Sequence, residues 1–247
     1  MKNTFDVLIL NARPAAGKSE IIDYLKNTEL AERQRRFHIG KFEEIDDFPM
    51  LWTWFEEDDL LEKMGYARLH SDSEGYFLGE HLWHLLIERM ALDYEKRVSR
   101  QKNYHKAFTT ILEFSRGSEH GGYAAAYSYL PETILRRASI LYLDVSYEES
   151  LRKNRKRFNP ERPDSILEHG LPDEKMERLY HEVDWESLPK IENKYLEIKG
   201  VRVPYVVFDN ADDVTTQRGE ALGKRLEENL QQLWKVRNML GLCAEEE

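Results

Sequence analysis

Cysteine is almost absent from this 247-residue chain. One thiol, Cys243, cannot form an internal disulfide, and no Cys/His group has the spacing of a zinc site. Long apolar runs are missing too: none approaches the roughly 20 residues that a membrane helix needs. Positive charge is in deficit, with 36 Lys and Arg against 46 Asp and Glu and a net charge of −10. Duplex nucleic acid and membrane surfaces are polyanions, so neither is an expected partner for so acidic a chain. Internal repeats, low-complexity tracts and a linker between two halves are also lacking. The 41% of hydrophobic and 33% of charged residues belong to a globular chain, long enough to bury a real core. Met1 to Asp6 leads into an apolar run without a signal-peptide pattern, so a reducing cytoplasm is the expected location.

What is present alternates. Phe5 to Leu10, Arg36 to Ile39, Ala107 to Phe114, Ile140 to Val145 and Val201 to Phe208 read as strands. Helical stretches lie between them, at 20–26, 49–64, 80–106, 123–137, 148–157 and 173–185, and a last one comes at 215–241. Alternation of this kind predicts one α/β domain across residues 1–247, three-layer α/β/α, with helices covering both faces of a central parallel sheet.

The strongest local signal comes directly after the first strand: Ala12-Arg13-Pro14-Ala15-Ala16-Gly17-Lys18-Ser19, with Glu20 opening the helix behind it. The spacing is that of a phosphate-binding loop with Ala in place of the first glycine, between a buried strand and a helix as that motif requires. Backbone N–H groups of such a turn converge on one point and bind anions there. Gly17 lets the backbone approach phosphates, Lys18 can reach the β- and γ-phosphates of ATP, and Ser19 can ligate Mg²⁺. Ala tolerates positive φ less well than Gly, so Ala12 predicts a slightly altered turn. A guanine reader is absent, since Asn193-Lys194-Tyr195-Leu196 lacks the required aspartate.

Ile140-Leu141-Tyr142-Leu143-Asp144-Val145 leads through Ser146 to Leu151 into Arg152-Lys153-Asn154-Arg155-Lys156-Arg157. This passage resembles the strand–helix–lid region of thymidylate kinases and deoxynucleoside kinases. Leu171 to Trp185 resembles the helix after the deoxynucleoside kinase lid, and Val203 to Asn210 that family's last strand. The resemblance implies a P-loop kinase fold with a lid at about 151–172 and a substrate-side helical insertion at about 41–106, the stretch that matches least. It also implies ATP and Mg²⁺ as cofactors and a possible homodimer. Six bases stand against one acid between Leu151 and Arg162, and phosphoryl transfer needs cations over the migrating group. Arg152, Arg155 and Arg157 are the candidates; the plain alternative is a solvated basic helix end.

Carboxylates complete the expected site. Glu113 ends the third strand, where ligands of open α/β sheets sit, and is a candidate for Mg²⁺ or for orienting the attacking group. Arg116 comes soon after and would clamp an anionic substrate or the catalytic carboxylate. This turn is similar both to that of adenylate kinases and to that of deoxynucleoside kinases and matches neither fully. In Lys41-Phe42-Glu43-Glu44-Ile45-Asp46-Asp47-Phe48, Glu44 and Asp47 are the candidate general bases, with Glu43 and Asp46 beside them; an acidic cap or loop is the rival reading. Trp52, Trp54 and Phe55 could stack on a nucleobase or serve the core. His81 and His84 suggest no zinc site, and His120 lies in a polar turn near the site. The expected activity is transfer of the γ-phosphoryl group of ATP to a small molecule, a nucleoside or nucleotide. A sugar, antibiotic or nucleic-acid end as acceptor, or a non-catalytic nucleotide-binding regulator, are the alternatives.

Overall fold

The computed structural model describes residues 3–157 and 170–242. Cys243, Arg162 and the 158–169 part of the expected lid lie outside the described residues.

Val7–Asn11 (β1), buried throughout, runs into Lys18–Lys26 (α1). Leu30–Phe37 (α2) and the strand Lys41–Asp46 (β2) come next. Phe48–Lys63 (α3), His81–Arg100 (α4) and the single turn Tyr104–Ala107 (α5) precede Phe108–Phe114 (β3). Gly122–Tyr129 (α6) and Glu132–Leu135 (α7) lead to Ala138–Asp144 (β4), then to Tyr147–Arg157 (α8) and Asp173–Tyr180 (α9). Lys190–Ile191 (β5), Tyr195–Ile198 (β6) and Val201–Asp209 (β7) come before Val214–Gln217 (α10) and Gly219–Met239 (α11).

The strands form one seven-stranded sheet in the order β2-β3-β1-β4-β7-β6-β5. Five are parallel; β6 and β5 are antiparallel additions beyond β7. The parallel core and the α/β class agree with expectation, whereas the hairpin edge was not foreseen. Its strands are short, four and two residues, and the reversal into β7 is made by Lys199 (φ 52°) and Gly200 (φ 74°), a two-residue turn of the kind that joins antiparallel strands. Along β1, Val7 and Ile9 enter one core with Tyr127, Tyr142 and Trp185, while Leu8 and Leu10 enter the other with Ile21, Leu226 and Leu230. Both sheet faces are covered, as a parallel sheet requires. A third apolar group joins Trp83 and Leu86 of α4 to Met176, Leu179 and Tyr180 of α9.

The second strand is displaced from its expected place. Residues 36 and 37 end α2, and the strand is 41–46, the acidic run expected to lie just beyond a strand. Buried Arg33 makes this corner: Nε donates to Gly40 O (3.1 Å), and NH1 to Leu25 O (2.7 Å) and Thr28 O (3.3 Å). The long helix expected to reach Lys106 breaks near Asn103 (φ 59°), and the terminal helix breaks at Arg218 and Gly219 (φ 59° and 65°). No helix of the described residues is long and apolar enough to cross a membrane.

Residues 65–79 are folded around one buried carboxylate. Asp58 accepts from Leu69 N (2.7 Å), His70 N (3.0 Å), Ser71 N (2.6 Å) and Ser71 Oγ (2.8 Å). Burial alone would raise its pKa; these donors outweigh it and hold the group at about 2. Since that lies below the unfolded value of about 3.9, the contribution to stability is complete above about pH 4 and is lost as pH falls toward 2. Asp58→Asn is expected to be less stable than the parent by about 2–3 kcal/mol at pH 7, with the two converging near pH 2. Urea unfolding across this range checks it; a difference that does not change with pH would contradict it.

Candidate functional site

The loop between β1 and α1 is held open by its neighbours. Ser150 Oγ of α8 donates to Pro14 O (2.7 Å), and Asn210 Nδ2, fully buried after β7, donates to Ala16 O (2.9 Å). Gly17 O accepts from Ile21 N (3.1 Å). Among the described residues, no acceptor is found for the amides of Ala15, Ala16, Gly17, Lys18 and Ser19. They border a cavity of about 910 Å³ at the carboxyl ends of the strands. Such a ring of unpaired donors at a helix N-terminus is able to bind an anion. Positive φ in this turn belongs to Ala15 (55°) and Gly17 (111°), and Ala12 is buried in the core. The alteration expected from Ala12 is therefore not seen: the missing glycine sat where none was needed.

Lys18 begins α1 and is 7% exposed. Its Nζ donates to Ser115 Oγ (2.8 Å) and Arg13 O (3.4 Å), and lies 3.9 Å from Glu113 Oε1. Glu113 is paired in register with Asp46 across β3 and β2, so two carboxyl groups stand beside the ammonium. Burial pushes Asp46 up to about 7, with the charges of Glu113 and Asp47 adding to it. Burial also raises Glu113 against the pull of Lys18, and lowers Lys18 against the pull of the acids. Burial thus favours the neutral form of all three groups.

The other candidates divide. Asp47 and Arg116 are both buried and joined at 2.5 Å; Arg116 also donates to Ser115 O (2.7 Å) and Trp83 O (3.2 Å). The carboxylate that Arg116 meets is that of Asp47. Ser19, Glu20, Pro14, Ala15, Ala16, Gly17, Arg152 and Arg157 border the cavity. Arg152 is paired with Glu149 and Asp213. Ala12 and Arg13 are not brought to it, and neither is Glu44, which pairs with Lys26 at 2.8 Å, nor Arg155, which is held by Asp173 at 2.6 Å. Trp52 and Phe55 line the cavity, while Trp54 stacks on His70 instead (5.0 Å, 13°). His120 lines it and stacks on Trp83 (4.8 Å, 20°). The far wall is apolar and aromatic: Leu51, Phe77, Trp83 and Tyr180.

Several site residues escaped the sequence reading. Lys153, 8% exposed, pairs with Asp213 (2.6 Å) and donates to Thr215 Oγ1 (3.3 Å). Asn210 and Thr215 sit under the loop; a signal for them existed only in the Asn at the end of the last strand. Lys175 and Arg178 lie over the Tyr76 ring at 5.0 and 4.3 Å and enter the cavity from α9. Among the described residues no three His, Cys, Asp or Glu are arranged to hold a metal. The exposed Ser19 hydroxyl and the Asp46 and Glu113 carboxyls are nevertheless hard oxygen donors around one space, which suits Mg²⁺ in company with phosphate oxygens.

No protein-family model matches the chain, and no curated protein does. Among solved structures it is similar to an unliganded sugar kinase from Janibacter, at 12% identity over 98% of this chain and 99% of that one, with a TM-score of 0.44. It is also similar to a Thermus thermophilus protein, at 12% identity over 98% of this chain and 100% of that one, with a TM-score of 0.40. Likeness at this level bears on neither family nor activity.

Gly17 is irreplaceable on two counts: its φ, and the Thr215 side chain pressed against the place of a Cβ. Gly17→Ala is expected to lower stability by about 2–3 kcal/mol, measured by thermal unfolding. A shift no larger than that of a surface substitution would contradict this packing.

Proposed function

We propose that the chain is an ATP-dependent P-loop phosphotransferase that moves the γ-phosphoryl group to a hydroxyl of a small molecule of nucleoside type. The observation that carries this reading is the ring of unpaired amides from Ala15 to Ser19 with Lys18 beside it, opening into the same cavity as Asp46 and Glu113. Amides and Lys18 hold the β- and γ-phosphates and favour the charge that spreads over the transferring group. Lys153, Arg152 and Arg157 add cations from α8. Ser19 and Glu113 are the residues that would hold Mg²⁺, which would supply positive charge against that of the phosphates.

Asp46 is the best-placed base. It ends β2 at the cavity, while Asp47 is committed to Arg116 and Glu44 to Lys26. A carboxylate there takes the proton from an acceptor hydroxyl as the oxygen attacks phosphorus. An acceptor that is itself a nucleotide needs a cation for its own phosphate, and Arg116, the expected one, is engaged by three partners. That favours an uncharged acceptor. The aromatic wall of Trp52, Phe55, Phe77 and Trp83 suits a flat ring.

The test is transfer from ATP–Mg²⁺ to a panel of nucleosides, nucleoside monophosphates and sugars. Phosphorylation of a nucleoside is expected. Lys18→Ala should reduce the rate by about 10³-fold and Asp46→Asn by about 10²–10⁴-fold with nucleotide affinity kept. Arg155→Ala, whose partner is the exposed Asp173, should stay within about twofold. ATP binding with no transfer to any acceptor would favour the regulatory alternative; transfer to sugars alone would replace the acceptor.

A further inference from the structure

The phosphate loop is joined to the acceptor-side wall by one side chain. Arg13 Nε donates to Tyr180 O (3.1 Å), NH2 to His181 O (3.1 Å) and NH1 to Val145 O (2.8 Å). Two of these are carbonyls at the end of α9, where the helix has no donors of its own to offer and where its dipole favours a cation. From the same helix Lys175, Arg178, Leu179 and Tyr180 face the cavity. The main chain of Arg13 looks the other way: its carbonyl accepts from Lys18 Nζ at 3.4 Å. A nucleotide that draws Lys18 onto its phosphates releases that carbonyl. One residue is therefore in contact with the phosphate-binding lysine through its backbone and with the acceptor wall through its side chain.

We propose that Arg13 is a positioning residue that couples nucleotide binding to the seating of α9, so that each substrate strengthens the binding of the other. This rests on the phosphotransferase reading above. The Arg13 side chain is not among the residues that border the cavity; each of its three nitrogens donates to a carbonyl, from two elements. Lysine is no substitute, because only the planar fork of a guanidinium meets that set at once. Coupling of this kind is reciprocal: whatever factor the nucleotide gives the acceptor, the acceptor gives the nucleotide.

Hydrogen exchange on the full chain, with and without saturating Mg²⁺ and the non-hydrolysable β,γ-imido analogue of ATP, tests this without an acceptor. In the parent, exchange is expected to slow by at least about threefold both in α1 and across Met176 to His181. In Arg13→Ala, α1 is still protected while α9 no longer responds, and Arg13→Lys falls between. An α9 response in Arg13→Ala equal to the parent's overturns the coupling and leaves the nucleotide reading standing. So does a parent in which α1 responds and α9 does not. A parent that shows no protection anywhere overturns both. Should Arg13→Ala not fold, Arg13→Lys carries the comparison, and a full α9 response there overturns the proposal.

Discussion

Pro14 O, Ala16 O and Gly17 O are each bound from a different direction, by Ser150 of α8, by Asn210 after β7 and by the first turn of α1. In a trans peptide the carbonyl and the next N–H point opposite ways. Fixing these three oxygens therefore aims the amides of Ala15, Gly17 and Lys18 at the cavity. Two of the tethers come from segments that follow β4 and β7, and they reach the turn because β4 lies next to β1 and β7 next to β4 in the sheet. A short turn alone has no such preference. The long-range order of the sheet is what converts it into a set of aligned donors.

Burial decides the electrostatics of what surrounds that turn. Lys18, Glu113 and Asp46 are near neighbours in a place poor in water, and each is pushed toward its neutral form. Asp47 and Arg116, equally buried, instead satisfy one another, with Arg116 also held by two carbonyls and lying 5.3 Å over Trp83. One charge cluster is thus settled and serves as support. The other is unsettled, and in a medium of low dielectric it responds strongly to an arriving polyanion or cation.

The strand–turn–helix and the α/β class were legible because they rest on local signals: a β-branched apolar run, the loop spacing, and alternation of element types. The acids of β2 were not, for a geometric reason. Phe42, Glu44 and Asp46 share one face of the strand, and only the last stands at its carboxyl end; Glu44, one step back, is taken by Lys26, and Glu43, on the opposite face, by Arg97 and Tyr104. Misplacing the strand by a few residues was enough to hide this. Arg155 is a similar case. Charge spacing along α8 identified a basic helix, but which base faces inward depends on Asp173, eighteen residues on. Lys153, Asn210 and Thr215 owe their places to contacts about sixty residues apart or more, which no local pattern announces.

The hairpin beyond β7 has a consequence for how the molecule behaves in company. A parallel sheet that ended at β7 would expose a nine-residue row of unpaired backbone groups, open to a strand of another copy. Instead the antiparallel β6 pairs with the first part of that row, Val201 to Pro204, and β5 ends this side of the sheet with only two residues. At the opposite edge β2 carries Lys41, Glu43, Glu44 and Asp46. One border is too short and the other too charged to nucleate edge-to-edge growth, so the same acidic strand that frames the cavity also keeps the sheet finite.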